Sequence, residues 1–114
     1  MISQTLAQEV SQLVADLCSA IADPTRILIL YALDEKTRNV NDLTAELGIT
    51  QPNTSRHLKI LRDRGLVHAA RQGTSIMYAI SDPRLIQALD LLRSVLRDRI
   101  TYNANLMEEI ETNV

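Results

Sequence analysis

Leu6, Val10, Leu13, Val14 and Leu17 recur at helical spacing, which predicts an amphipathic first helix over residues 3 to about 20. Asp23-Pro24 marks a break and restart, with Asp23 as N-cap and Pro24 at the first helical position, where its missing N–H does no harm. Ile27, Leu28, Leu30, Tyr31 and Leu33 make a mostly buried second helix that ends near Asp34-Glu35-Lys36. Asn39 or Asn41 caps a third helix, which carries Leu43 and Leu47 and stops at Gly48. After a short turn Thr50 caps a fourth, with Pro52 in its first turn. There Thr54, Leu58 and Leu61 fall at i, i+4 and i+7, one buried stripe, while Gln51, Asn53, Ser55, Arg56 and Lys59 point toward solvent or a ligand.

Gly65 suits the left-handed residue that ends such a helix. Leu66-Val67 and Ile76-Met77-Tyr78-Ala79-Ile80 then flank Arg71-Gln72-Gly73-Thr74, a Gly-containing turn rich in donors, which predicts a hairpin. Ser81-Asp82-Pro83 repeats the capping arrangement and opens the longest helix, with Leu85, Ile86, Leu89, Leu92, Leu96 and Ile100 among Arg93, Arg97 and Arg99. Leu106–Ile110 either continues it or frays. The order predicts a mainly α chain of about five helices with a small β-hairpin, a winged helix-turn-helix. It is expected to form one DNA-binding and dimerisation domain over residues 1–114.

Composition narrows this further. Only three residues are aromatic, Tyr31, Tyr78 and Tyr102, so the core is aliphatic. No apolar run approaches the roughly 20 residues that span a bilayer, so no membrane partner is expected. The start of the chain lacks the basic and apolar blocks of a signal peptide, and the single cysteine, Cys18, excludes an intrachain disulfide. Both fit a reducing cytoplasm as the expected location. Gly48, Gly65 and Gly73 all sit at junctions, so there is no glycine-rich phosphate loop.

The net charge of −2 looks wrong for a nucleic-acid binder until it is divided by position. Residues 50–75 set five basic residues, Arg56, Lys59, Arg62, Arg64 and Arg71, against Asp63 alone, a local +4. The remainder holds seven basic and thirteen acidic residues and carries −6. Phosphate attraction acts within about 8–10 Å, so the local surplus governs.

On this frame Gln51, Asn53 and Arg56 are expected to read base edges, because amides and guanidinium groups make bidentate bonds to adenine and guanine. Thr54, Ser55 and His57 are secondary candidates, and Thr54 can equally pack inward. Lys59, Arg62, Arg71, Gln72 and Thr74 are expected to hold phosphates or the flanking minor groove. The first and last helices are more apolar than one face of a small domain requires. A second copy is expected to cover Leu6, Val10, Leu13, Leu17, Leu89, Leu92, Leu96 and Ile100. Such a C₂ dimer sets two recognition helices on successive half-sites of an imperfect palindrome in double-stranded DNA.

Ala22-Asp23-Pro24-Thr25-Arg26 followed by Ile27-Leu28-Ile29-Leu30, and Gln51 to Leu61 with Ser55-Arg56-His57-Leu58-Lys59 at its centre, stand in order along the chain. Arg64-Gly65-Leu66-Val67, Arg71-Gln72-Gly73 and Tyr78-Ala79-Ile80-Ser81-Asp82-Pro83 follow them. Across roughly residues 10–100 this series resembles the ArsR/SmtB family of bacterial winged-helix repressors. The segments look like that family's second helix, its recognition helix, and the entry, tip and exit of its wing. The resemblance implies a dimeric repressor that leaves its operator when an inducer binds.

The departures are informative. Many members open the third helix with a Cys-x-Cys pair for soft metal ions or arsenite, where this chain reads Asn39-Val40-Asn41. Amides are poor ligands for soft ions. Zinc-sensing members place carboxylate and histidine ligands along the last helix. Asp82 and Asp98 survive here, but the inner positions are Arg84 and Val95. Persulfide-sensing members pair a second-helix cysteine with one in the last helix, and those places look like Tyr31 and Arg97. No metal site and no cofactor is therefore expected, and the inducer is left unidentified.

Cys18 beside Leu17 reads as a small buried hydrophobe, with a redox switch as the sharper alternative. His57 is expected at DNA or in helix packing and His68 on the surface, and neither converges with Cys18 on a metal. Nothing supplies a shaped cleft or a nucleophile turn, so no enzyme is expected. Two rival readings are a repressor that senses thiol chemistry through Cys18 and a winged helix used as a protein-interaction module.

Overall fold

The Ser3 hydroxyl starts the first helix by accepting from the Leu6 N–H at 3.1 Å, one of the donors a helix N-terminus leaves open. Helix α1 then runs through Gln4–Glu9, a π-helical turn at Val10–Val14, and Ala15–Ile21. The expected helix is present, but the wide turn accommodates an extra residue and shifts the phase of its stripe. Leu6, Val10, Leu13 and Val14 are exposed in the single chain, Leu17 is half-buried and Ala20 is buried. The computed structural model describes residues 1–112.

Asp23 caps helix α2, Pro24–Glu35, through bonds from the N–H groups of Thr25 at 2.8 Å and Arg26 at 3.2 Å. Its buried face is Ile29, Leu30, Ala32 and Leu33, whereas Leu28 is 54% exposed. Leu30 and Leu33 are buried as expected and Leu28 is not, its place on the buried face going to Ile29, because an unbroken apolar run does not fix the phase of a helix. Helix α3, Val40–Leu47, is capped by Asn39 and not Asn41. Asn39 Oδ1 accepts from Asp42 N at 2.8 Å and Asp42 Oδ2 from Asn39 N at 3.4 Å, a closed capping box. Gly48 ends α3 at φ 66°.

Thr50 caps helix α4, Gln51–Asp63, accepting from Asn53 N at 3.3 Å. Bonds from Gly65 N to Arg62 O and from Leu66 N to Leu61 O, each 2.9 Å, close its far end around Gly65 at φ 75°. Strands β1, Val67–Gln72, and β2, Ser75–Ile80, pair antiparallel from Val67↔Ile80 to Gln72↔Ser75. Helix α5 is Arg84–Thr112, so Leu106–Ile110 continues the helix.

The chain divides into two compact units, Met1–Asp82 and the segment from Pro83 onward. The first has its core where α2, α3 and α4 present Ile29, Leu30, Leu43, Leu58 and Leu61. One buried cation joins its parts. Arg38 donates through Nε to the Ala32 carbonyl at 3.1 Å and through Nη2 to Glu35 at 2.7 Å, and its Nη1 pairs with Glu46 of α3. Its backbone bridges Tyr78 of β2 in both directions, at 3.1 and 2.8 Å. A charge this buried is tolerated because every arm of the guanidinium has an acceptor. In the second unit, Ile86 and Leu89 are buried while Leu92, Leu96 and Ile100 are exposed.

Candidate nucleic-acid interface

Helix α4 has two chemically distinct sides. Gln51, Asn53, Ser55, Arg56, Lys59 and Arg62 are exposed, and Thr54, His57, Leu58 and Leu61 are buried. Two of the expected base readers are therefore on the wrong side. Thr54 is fully buried, its hydroxyl donating to the Thr50 carbonyl at 3.1 Å and accepting from Thr44 Oγ1 at 2.9 Å, which ties α4 to α3. His57 is 6% exposed, with Nδ1 3.2 Å from Arg26 Nη1. Its place was open to spacing: three residues after Thr54, it falls on the stripe that also holds Leu58 and Leu61.

The Ala22-Asp23-Pro24-Thr25-Arg26 segment thus has a second task besides starting α2. Arg26 Nε donates to the Ala20 carbonyl, and Nη1 lies 3.9 Å from Asp23 Oδ2. Partial burial disfavours the Asp23 carboxylate. The N–H groups of Arg26 and Thr25, together with His57 and the Arg26 guanidinium, outweigh this and hold its carboxyl below the usual range. Burial pushes the His57 imidazole down, Arg56 and Arg26 add to that, and Asp23 opposes it.

Arg71 and Gln72 lie on β1 itself and not in the turn, paired with Ile76 and Ser75, and both are exposed. The tip is Gly73-Thr74, where φ of 63° at the first position suits the two-residue hairpin turns that need glycine there. Arg64 is tied to α1, where it pairs with the Asp16 carboxylate and donates to the Asp16 carbonyl at 3.2 Å. Arg56, Lys59, Arg62 and Arg71 are the other exposed cations of this segment.

Between the start of α3, the start of α4 and the hairpin tip lies an open groove of about 280 Å³. Asn39, Val40, Asn41, Gln51, Thr74, Ser75 and Ile76 line it, amides and hydroxyls beside two aliphatic side chains and no thiol. Among the described residues no three His, Cys, Asp or Glu side chains are grouped to hold a metal ion. Cys18 is exposed in the single chain and not buried as expected, because the buried position in that turn of α1 goes to Ala20. His68 is exposed on β1. Of the expected seam, Leu89 is only 5% exposed, so it is withdrawn from water without a second copy. Among the described residues no helix is long and apolar enough to cross a membrane.

Residues 23–69 match the family described as "Bacterial regulatory protein, arsR family". The chain is 44% identical over 82 residues to the HTH-type transcriptional regulator CmtR of Mycobacterium tuberculosis, covering 72% of this chain and 70% of the relative. The chain belongs to the arsR family. Members of the arsR family are DNA-binding transcriptional regulators and not enzymes, which agrees with the two-sided α4 and the hairpin wing. The crystal structure of Mycobacterium tuberculosis Rv0081 superposes with a TM-score of 0.76 at 32% identity, over 83% of this chain and 96% of that one. The homodimeric winged helix-turn-helix domain of Mb0332 from Mycobacterium bovis does so with 0.75 at 28% identity, over 89% and 93%.

Proposed function

We propose that this arsR-family regulator is a homodimeric repressor, that α4 is its reading helix, and that a signal other than thiolate- or histidine-bound metal releases it from an imperfectly palindromic operator. The observation that carries this reading is the exposure of Gln51, Asn53, Ser55 and Arg56 on one side of a helix whose other side is locked into the core. In this reading Gln51, Asn53 and Arg56 meet base edges, with Ser55 beside them. Lys59, Arg62, Arg71, Gln72 and Thr74 lie along phosphates. The dimer seam draws on Leu6, Val10, Leu13 and Leu17 of α1 and on Leu92, Leu96 and Ile100 of α5.

The test is protein–DNA titration over a range of salt, on a duplex selected by the protein from a random pool and on mixed sequence. Arg71→Ala is expected to weaken both duplexes evenly and to flatten the salt slope by about one unit per protomer. A change of base preference in Arg71→Ala would reverse the division between readers and anchors.

Selected-duplex binding is further expected to be unmoved by chelators and by micromolar zinc, cadmium or arsenite. Asn39 and Asn41 offer amides at one of the family's metal-binding places, and Arg84 and Val95 stand at the other. Stoichiometric metal binding with loss of DNA affinity would overturn that expectation. The exposure of Cys18 favours one second reading, release by thiol oxidation. Equal DNA affinity of the wild type and Cys18→Ser under oxidant removes it.

A further inference from the structure

We propose that Arg26 and His57 form a joint that sets the angle at which α4 meets DNA, and that the joint closes only while His57 is neutral. Both are then positioning residues for DNA binding, a step that rests on the reading of α4 as the recognition helix. The Arg26 side chain spans three parts of the fold. Its Nε donates to Ala20 in the last turn of α1, its Nη1 sits beside Asp23 at the cap of α2, and the same Nη1 lies 3.2 Å from His57 Nδ1 on α4. Neither partner is well hydrated, since the Arg26 side chain is 13% exposed and His57 6%. A hydrogen bond in such a place counts for more than one in water.

The chemistry of the two side chains fixes the direction of that bond. A guanidinium has donors only, so Nδ1 must accept and the imidazole proton must sit on Nε2. A second proton turns Nδ1 into a donor that faces a donor, and sets two cations side by side. The charged groups around His57 are Arg26 and Asp23 from the start of α2 and Arg56 from its own helix. On the other elements of this unit, Asp16 of α1 is engaged by Arg64, and His68 of β1 is exposed. Asp23 alone favours the imidazolium, and it already accepts from Thr25 and Arg26. Burial and the two arginines prevail, so His57 stays neutral in the fold until the pH is below its ordinary value of 6.5. Stability and operator affinity held by the joint are then complete above about pH 6.5 and lost as pH falls through the depressed folded value. When the joint opens, Arg56, the neighbouring residue, and Asn53, one turn earlier, lose their aim.

The sign separates this from ordinary charge effects. Added positive charge in acid strengthens phosphate attraction on any duplex, whereas opening the joint weakens base reading. Anisotropy titrations at constant ionic strength compare wild type and His57→Gln at about pH 7.5 and in steps down to the acid limit of the folded protein, on a duplex selected by the wild type and on mixed sequence. Gln offers a carbonyl oxygen to Arg26 and cannot titrate. Wild type is expected to lose about threefold per recognition helix in acid, about tenfold for two, on the selected duplex only. His57→Gln is expected to hold within about threefold of wild type at the higher pH and to show no such loss.

A flat wild-type profile, or the same loss in His57→Gln, overturns the proposal. Imidazole ¹⁵N NMR of the free wild-type protein gives a second readout that needs neither variant nor DNA. The Nε2–H tautomer at neutral pH supports the joint, and the Nδ1–H tautomer overturns it. Should no duplex be selected at all, the recognition reading fails while the tautomer still decides the joint.

Discussion

A Leu96→Glu variant is expected to sediment as a folded monomer and to bind the selected duplex about a hundredfold more weakly than wild type. Leu96 is 56% exposed in the single chain, so a carboxylate there stays hydrated and leaves the fold intact. In a closed seam the same carboxylate is stripped of water with no cation to meet it, a penalty of about 3–5 kcal/mol. The loss of affinity follows because a single recognition helix no longer brings its twin to the second half-site at high effective concentration. Sedimentation velocity, circular dichroism and DNA titration on one preparation test all three parts. Leu89→Glu is the contrast: with Leu89 5% exposed, its charge is expected to unfold rather than to dissociate. A dimeric Leu96→Glu protein with undiminished affinity would place the seam elsewhere.

Asn53→Ala and Arg56→Ala are each expected to weaken the selected duplex by about 1–3 kcal/mol per half-site, and by about twice that across both. Unlike Arg71→Ala, they relax base preference, so selection repeated with each variant should return a degenerate position. Both side chains are exposed and outside the core, so neither change is expected to move the thermal midpoint appreciably. An unchanged selected sequence for both variants would remove them from base reading.

Much of the architecture was legible because capping and turn chemistry are local. Asp23-Pro24, Thr50, Gly65 and Gly73 each mark a boundary that the fold respects. Polarity misled where tertiary partners decide. Spacing already put Thr54 on the buried stripe and left His57 open to it, but their polar side chains also suited base reading, and the partners that decide, Thr44 and Arg26, lie 10 and 31 residues away. Arg38 gave no signal, since an isolated arginine between Thr37 and Asn39 has nothing in its neighbourhood to say that Glu46 and Tyr78 will surround it. The π-turn in α1 was hidden for another reason: a wide turn uses the same residue types as a normal one, and only the phase changes. Cys18 and Leu28 show the same limit, as long apolar stretches leave the buried face undetermined by a residue or two.

The paired backbone bonds between Arg38 and Tyr78 add Arg38 to the hairpin as a one-residue third strand and tie the hairpin to the helical body. If the wing lies on DNA as proposed, a hairpin tied to the helical body follows the duplex less freely than a flap, so the duplex is expected to adapt to the wing. Flanking base steps that bend or narrow cheaply are then favoured over stiff ones, at positions no side chain touches. Part of the preference of this regulator is thereby expected to be written in the mechanics of its DNA.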